Sequence, residues 1–313
     1  CFSEAAQAAS LQNVDEVYVF GDSLSDVGNA FKATGGGLPP SPPYFRGRFS
    51  NGPVWVEALA PQLGVTLEPN RDFAFSGATT GPVNTLTPDL PGLQQQISGF
   101  TTTHPAANPN ALYIVWAGAN DYLGGTASSP TVPVKNLSAA VKSLAAVGAQ
   151  NILVANLPDL GQVPATRTSP SSSTLSDLTQ AHNLSLSKSL ARLSQNLASE
   201  TNIIEFDVYS LFGRARTAPG EFGFTNVTRA CLDNFVVCDH PDKFLFWDGI
   251  HPTAAAHQLL GKSAAIAALR PQPIPEPTSV VGTLAFGALG AGALLKRKQK
   301  QKLATFNKSN KSI

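Results

Sequence analysis

An α/β fold, with a parallel sheet covered by helices on both faces, is predicted by three features of this sequence. Short hydrophobic runs of β type alternate with longer segments of helical period, the order expected of strand–helix units that build a parallel sheet. Polar residues with chemical potential follow these runs, where open α/β sheets place their sites. The 313 residues, 42% of them hydrophobic, suffice for one large core without requiring a second domain.

The first strand is predicted over Glu16–Phe20. A helix follows over Pro53–Leu63, its proline tolerated in the first turn. Phe73–Phe75 is a weaker strand candidate, and further strands are predicted over Ala111–Trp116, Asn151–Asn156 and Asn202–Asp207. Helices are predicted over Val134–Val147, near Thr174–Ser199 and over Thr253–Leu269. In the long helix Leu186, Leu190, Leu193 and Leu197 form one apolar stripe, read as core packing. The stretches Lys32–Gly52, Gly81–Asn110 and Gly161–Ser173 are rich in Pro, Gly, Ser or Thr and are expected to be loops that carry specificity. No internal repeat is visible.

The string VFGDSLSDVGN, Val19 to Asn29, places Ser23 at the end of the first strand, before a segment able to turn helical. An acyl-transfer nucleophile needs an exposed oxygen and a nearby N–H donor, and this position offers both. Downstream, in FWDGIHPT, Asp248 and His251 stand three residues apart, a spacing that brings both side chains to one side of a turn. A serine needs such a base, and the base needs a carboxylate to set its tautomer. Gly77 in FAFSGATT offers a backbone N–H open to close approach, and Asn120 in VWAGANDYL ends another hydrophobic run. Singly, each has a plainer reading. Ser23 suits a helix N-cap, Gly77 a turn, Asn120 with Asp121 a polar turn closing a strand, and Asp248 with His251 a surface pair. Together, in this order and at strand ends, they favour catalysis.

Of the five histidines, His251 ranks first as base. His104 lies in a Pro- and Asn-rich loop without an adjacent acid, while His182 and His257 fall in helical patterns and are expected to pack. His240 is the rival, but its acid, Asp239, is its immediate neighbour, so the two side chains diverge.

The order Ser23, Gly77, Asn120, His251 resembles that of the SGNH hydrolases, also called GDSL esterases and lipases. GRFSNGPVWVEALA (Gly47 to Ala60) and NLPDLGQVPA (Asn156 to Ala165) add to the likeness, which spans residues 16 to 269. The resemblance implies a three-layer α/β/α sandwich with a flavodoxin-like parallel sheet. It implies Ser23 as nucleophile, His251 as general base and acid, Asp248 orienting His251, and an oxyanion hole from the Ser23 and Gly77 N–H groups and the Asn120 amide. Neither cofactor nor metal is expected; Asp239 and His240 crowd Cys238, but no ligand set with metal spacing appears. The expected activity is that of a secreted ester hydrolase acting on a small-molecule, lipid or glycan ester. A carbohydrate O-acetylesterase and a non-catalytic envelope or matrix protein that binds glycan are the alternatives.

The net charge of +1 conceals an asymmetry: residues 275–313 hold seven Lys/Arg and one acid, leaving 15 basic and 20 acidic residues in 1–274. That body, near −5, carries no basic stripe for nucleic acid. The chain opens on Cys1, and Ala6-Gln7-Ala8 resembles the small-residue end of a secretory signal; a disordered lead-in is the other reading. Residues 1–13 are assigned to this segment and 14–270 to the hydrolase domain. Residues 271–277 form a linker containing Pro275-Glu276-Pro277, 278–295 an apolar helix about 27 Å long, and 296–313 a basic tail. This ending resembles the PEP-CTERM sorting tail recognised by exosortases, which implies membrane retention until cleavage near Pro-Glu-Pro; a plain anchor is the alternative. In an exported protein Cys231 and Cys238, seven apart, can close a small disulfide loop ahead of Asp248; two unpaired thiols are the other reading.

Overall fold

The structure, a computed structural model, describes residues 14–270. The expectations for residues 1–13, 271–277, 278–295 and 296–313 lie outside the described residues. Among the described residues no helix is long and apolar enough to cross a membrane.

In chain order the elements are β1 (Val17–Gly21), α1 (Asn29–Ala33), α2 (Trp55–Gln62), α3 (Leu93–Thr103), β2 (Leu112–Trp116), α4 (Ala119–Leu123), α5 (Thr131–Ala146), β3 (Asn151–Ala155) and α6 (Ser172–Asn196). There follow β4 (Asn202–Phe206), α7 (Val208–Thr217), β5 (Asn226–Ala230), β6 (Leu232–Asp233), β7 (Val236–Val237), β8 (Phe244–Phe246) and α8 (Ala254–Leu269). The main sheet runs β1-β2-β3-β4, all parallel. The weak candidate at Phe73–Phe75 adds no full strand. It docks on the free edge of β1 through the Phe73 and Phe75 N–H groups, which donate to Val19 and Gly21 carbonyls at 2.8 and 3.1 Å. Counting that edge segment as second in the chain, the spatial order is 2-1-3-4-5, the flavodoxin-like arrangement.

The two-residue period of the strands divides the core into two layers. Val17 and Val19 of β1 and Leu112, Ile114 and Trp116 of β2 face α2 and α8, packing with Trp55, Leu59, Leu260 and Ala264. Tyr18, Phe20, Tyr113 and Val115 point the other way, against Phe100 of α3, Leu137 and Val141 of α5, and the Leu186, Leu190 and Leu193 stripe of α6. Both faces of β1 and β2 are thus buried, which is why these two runs read as continuously apolar. Each large side chain in these layers contributes roughly 1.5–3 kcal/mol by leaving water.

The predicted strands and helices stand within a few residues of their expected limits. Helix α1 follows Ser23, where a segment able to turn helical is expected, whereas α3, α4 and α7 have no counterpart among the predicted helices, and α3 turns much of the anticipated Gly81–Asn110 loop into structure. Its Leu93, Ile97 and Phe100 make a stripe too short and Thr-flanked to stand out; packing against β1 and α5 stabilises it. Gln96 of α3 brackets Gly21 at the end of β1, accepting from its N–H at 2.9 Å and donating to its carbonyl at 2.8 Å.

Candidate active site

Ser23 follows β1 in a single turn, where the Ser25 and Asp26 N–H groups donate to the Asp22 carbonyl. It is not a helix N-cap; the hydroxyl is free for other work. Its Oγ lies 2.9 Å from His251 Nε2, and His251 Nδ1 lies 2.7 Å from Asp248 Oδ2. Because an ionised carboxylate only accepts, Nδ1 carries the proton, Nε2 is left as acceptor, and the Ser23 hydroxyl donates to it. Burial alone would raise the Asp248 carboxyl; the charge of His251 and hydrogen bonds from the His251 and Ile250 N–H groups outweigh it and hold the pKa at about 2.

The loop carrying this pair is built locally and clamped from afar. Asp248 Oδ1 accepts the Ile250 and His251 N–H groups at 2.8 and 2.7 Å, and the Trp247 N–H donates to the His251 carbonyl. Thr253 caps α8 with its side chain, so the helix starts just after the histidine. Ser50 donates to the Pro252 carbonyl and Asn51 accepts from the Ala254 N–H, at 2.9 and 2.8 Å. These two residues tie the GRFSNGP segment to the histidine loop.

Three buried carboxylates hold the other strands of the site together. Asp26 accepts the Gly28 and Asn29 N–H groups and both the N–H and hydroxyl of Ser76, which places Gly77 opposite Ser23. Asp72 accepts the Val27 and Ala74 N–H groups. Asp121 accepts the Thr80 N–H and hydroxyl, joining the Asn120 turn to the Gly77 segment. Burial, the largest influence, pushes all three carboxyls above their ordinary range.

Gly77 sits at φ +81°, and a Cβ there would stand 2.5 Å from both Asn84 Oδ1 and Leu86 Cβ. Only glycine fits this left-handed, crowded position. Neither the Ser23 nor the Gly77 N–H finds an acceptor among the described residues. The Asn120 amide donates once, to the Ala78 carbonyl at 3.0 Å, which orients it and leaves a second N–H. Ser23, Gly77, Asn120 and His251 line one cleft of about 140 Å³ together with Leu24, Leu86, Leu123 and Ile250. Asp22 lines it too, and burial above all drives its pKa up to about 7.

The remaining histidines have other surroundings. His182 and His257 are fully buried, and burial lowers them to about 4 and about 3. His257 Nδ1 accepts the Trp55 N–H at the α2–α8 contact. His104 stacks on Phe100 at 4.4 Å, and His240 does not line the cleft. Cys231 and Cys238 are joined in a disulfide, closing the β6–β7 hairpin. Leu232 at its base donates to the Trp247 carbonyl, beside Asp248. Sequence reading missed Tyr44, whose hydroxyl donates to Asp248 Oδ2 at 2.8 Å; nothing in the Pro-rich loop around it signalled a partner 204 residues away. Chemically, the arrangement can strip a proton from Ser23 and receive a developing oxyanion.

Residues 17–264 match the family described as GDSL-like Lipase/Acylhydrolase. The chain is 28% identical over 304 residues to the phosphatidylcholine-sterol acyltransferase of Aeromonas hydrophila, covering 80% of this chain and 88% of that protein. It is 30% identical over 270 residues to the thermolabile hemolysin of Vibrio parahaemolyticus, covering 80% of this chain and 62% of the hemolysin. Among solved structures, the aryl esterase of M. smegmatis aligns with 82% of this chain and all of its own, at 20% identity and a TM-score of 0.50. That likeness extends to the fold.

Proposed function

The chain belongs to the GDSL-like lipase/acylhydrolase family and is an ester-bond hydrolase, and we propose that it works through an acyl-enzyme on Ser23. The observation that carries this reading is the continuous contact from Ser23 Oγ through His251 to Asp248, at 2.9 and 2.7 Å. His251 takes the serine proton as Oγ attacks the ester carbonyl. Asp248 holds the tautomer and stabilises the imidazolium. The Ser23 and Gly77 N–H groups and the Asn120 amide receive the oxyanion. His251 then protonates the leaving alcohol, and water, activated by the same base, releases the acid.

The cleft favours a short, apolar acyl group. Its 140 Å³ falls below the ~300–1,000 Å³ of sites for drug-sized ligands, and Leu24, Leu86, Leu123 and Ile250 give it a largely apolar wall. The same small volume also suits acetyl, so a carbohydrate O-acetylesterase is the second reading. Nitrophenyl esters of graded chain length separate the two: a maximum above acetate supports the first, and hydrolysis confined to acetate supports the second. Ser23→Ala is expected to abolish both hydrolysis and labelling by a fluorophosphonate. A folded parent that neither hydrolyses any ester nor takes the label would leave the non-catalytic, glycan-binding reading.

Export is part of the proposal. It draws support from the Pro-Glu-Pro, apolar and basic order of residues 275–313 and from the Cys231–Cys238 bond. On this reading residues 14–270 are the secreted body, held at the membrane until the tail is cut near Pro277. Mass spectrometry of the mature protein decides it; a C-terminus at Ile313 would count against cleavage.

A further inference from the structure

Both oxygens of the Asp248 carboxylate are fully occupied. Oδ1 takes two backbone donors, and Oδ2 takes two side-chain donors, His251 Nδ1 at 2.7 Å and the Tyr44 hydroxyl at 2.8 Å. The two donors on Oδ2 come from opposite ends of the domain. Tyr44 belongs to the Pro-rich segment before α2, and that segment is tied down around it. The Phe45 N–H donates to the Ser50 carbonyl, and Ser50 in turn donates to Pro252 beside the histidine. The Tyr44 ring meets Trp247 and Phe49 edge-on, and Phe49 lies 4.8 Å from the His251 ring. This phenol is thus seated in a fixed aromatic frame and aimed at one carboxylate oxygen.

We propose that Tyr44 is a positioning residue of the active site, its hydroxyl fixing the Asp248 carboxylate and drawing charge from the oxygen that faces His251. The proposal rests on the triad reading above and adds a fourth member to it. The geometry has two consequences. Without the phenol, Oδ2 loses one of two donors, so the carboxylate gains freedom to swing away from Nδ1. The charge on Oδ2 is also no longer shared, so the protonated imidazole is held more strongly and the base takes up its proton at higher pH. Burial first, and then the charge of Asp248, push the Tyr44 hydroxyl above its ordinary range, so it remains a donor throughout the working pH. The titratable groups around His251 are Asp248 on its own loop, Ser23 and Asp22 after β1, Tyr44 before α2 and His257 on α8. Among these, Tyr44 alone shares the Oδ2 oxygen of Asp248 with His251.

The test is Tyr44→Phe in the full chain, which keeps the ring in its aromatic frame and removes the oxygen. The expected result is a fall in kcat of about tenfold, KM within about twofold, and an acidic limb of kcat/KM displaced upward by about half a pH unit. Installing 3-fluorotyrosine at position 44, a stronger donor of the same shape, is expected to displace that limb downward; this second variant serves if the phenylalanine variant does not fold. An unchanged limb in either folded variant would overturn the proposal, even if kcat or thermal stability fell. Ser23 labelling by fluorophosphonate must survive in Tyr44→Phe. Its absence in the parent would instead undo the serine-hydrolase reading, so the two failures are told apart.

Discussion

Replacing Asp248 by Asn tests the proton relay at its most constrained point. The carboxylate accepts four hydrogen bonds between 2.7 and 2.8 Å, two on each oxygen. An amide has one oxygen to offer. If it serves the Ile250 and His251 N–H groups, the NH₂ faces His251 Nδ1, which can then only accept. The ring proton moves to Nε2, which donates to Ser23 instead of receiving from it, and the base is lost. The opposite flip sets NH₂ against two backbone donors. Either way the expected loss in kcat/KM is about 10⁴-fold, measured with a soluble nitrophenyl ester. Stability supplies a second readout. The carboxyl is held at about 2 against an ordinary 3.8, and its side chain is 15% exposed, so ionisation favours the fold by about 2 kcal/mol. Because the folded value lies below the unfolded one, this contribution is complete above about pH 4. It fades as pH falls toward 2. Asp248→Asn should therefore melt about 4–8 °C lower at pH 7, with the gap closing in acid. A folded variant retaining a tenth of the parent's kcat/KM would refute the relay.

Two further outcomes follow from the same geometry. Asn120→Ala removes the amide oriented by the Ala78 carbonyl and should slow turnover about 100- to 1000-fold; a fall below about threefold would dismiss it from the oxyanion site. Asp22→Asn concerns a carboxyl raised to about 7, so the folded parent retains a proton that the unfolded chain releases, and stability declines between about pH 4 and 7. The asparagine variant should lack that decline and gain about 2–4 kcal/mol at pH 8; melting curves at pH 4 and 8 that differ equally in both proteins would contradict this.

Features encoded over a few residues are legible in the chain alone. The strand runs, the leucine stripe of α6, the Asp248–His251 spacing and the Cys231–Cys238 separation are local periods or short loops, and neighbouring residues suffice to read them. The serine at a strand end and its order relative to Gly77, Asn120 and His251 were legible for the same reason. Contacts closed across long stretches of chain emerge with folding. Tyr44 meets Asp248 over 204 residues, Asp26 reaches Ser76 over 50, and Asp121 reaches Thr80 over 41. No periodicity announces such a partner, because each is selected by how the packed layers bring two loops together. The short α3 likewise exists because β1 and α5 cover its apolar face, a stabilisation that its own residues do not contain.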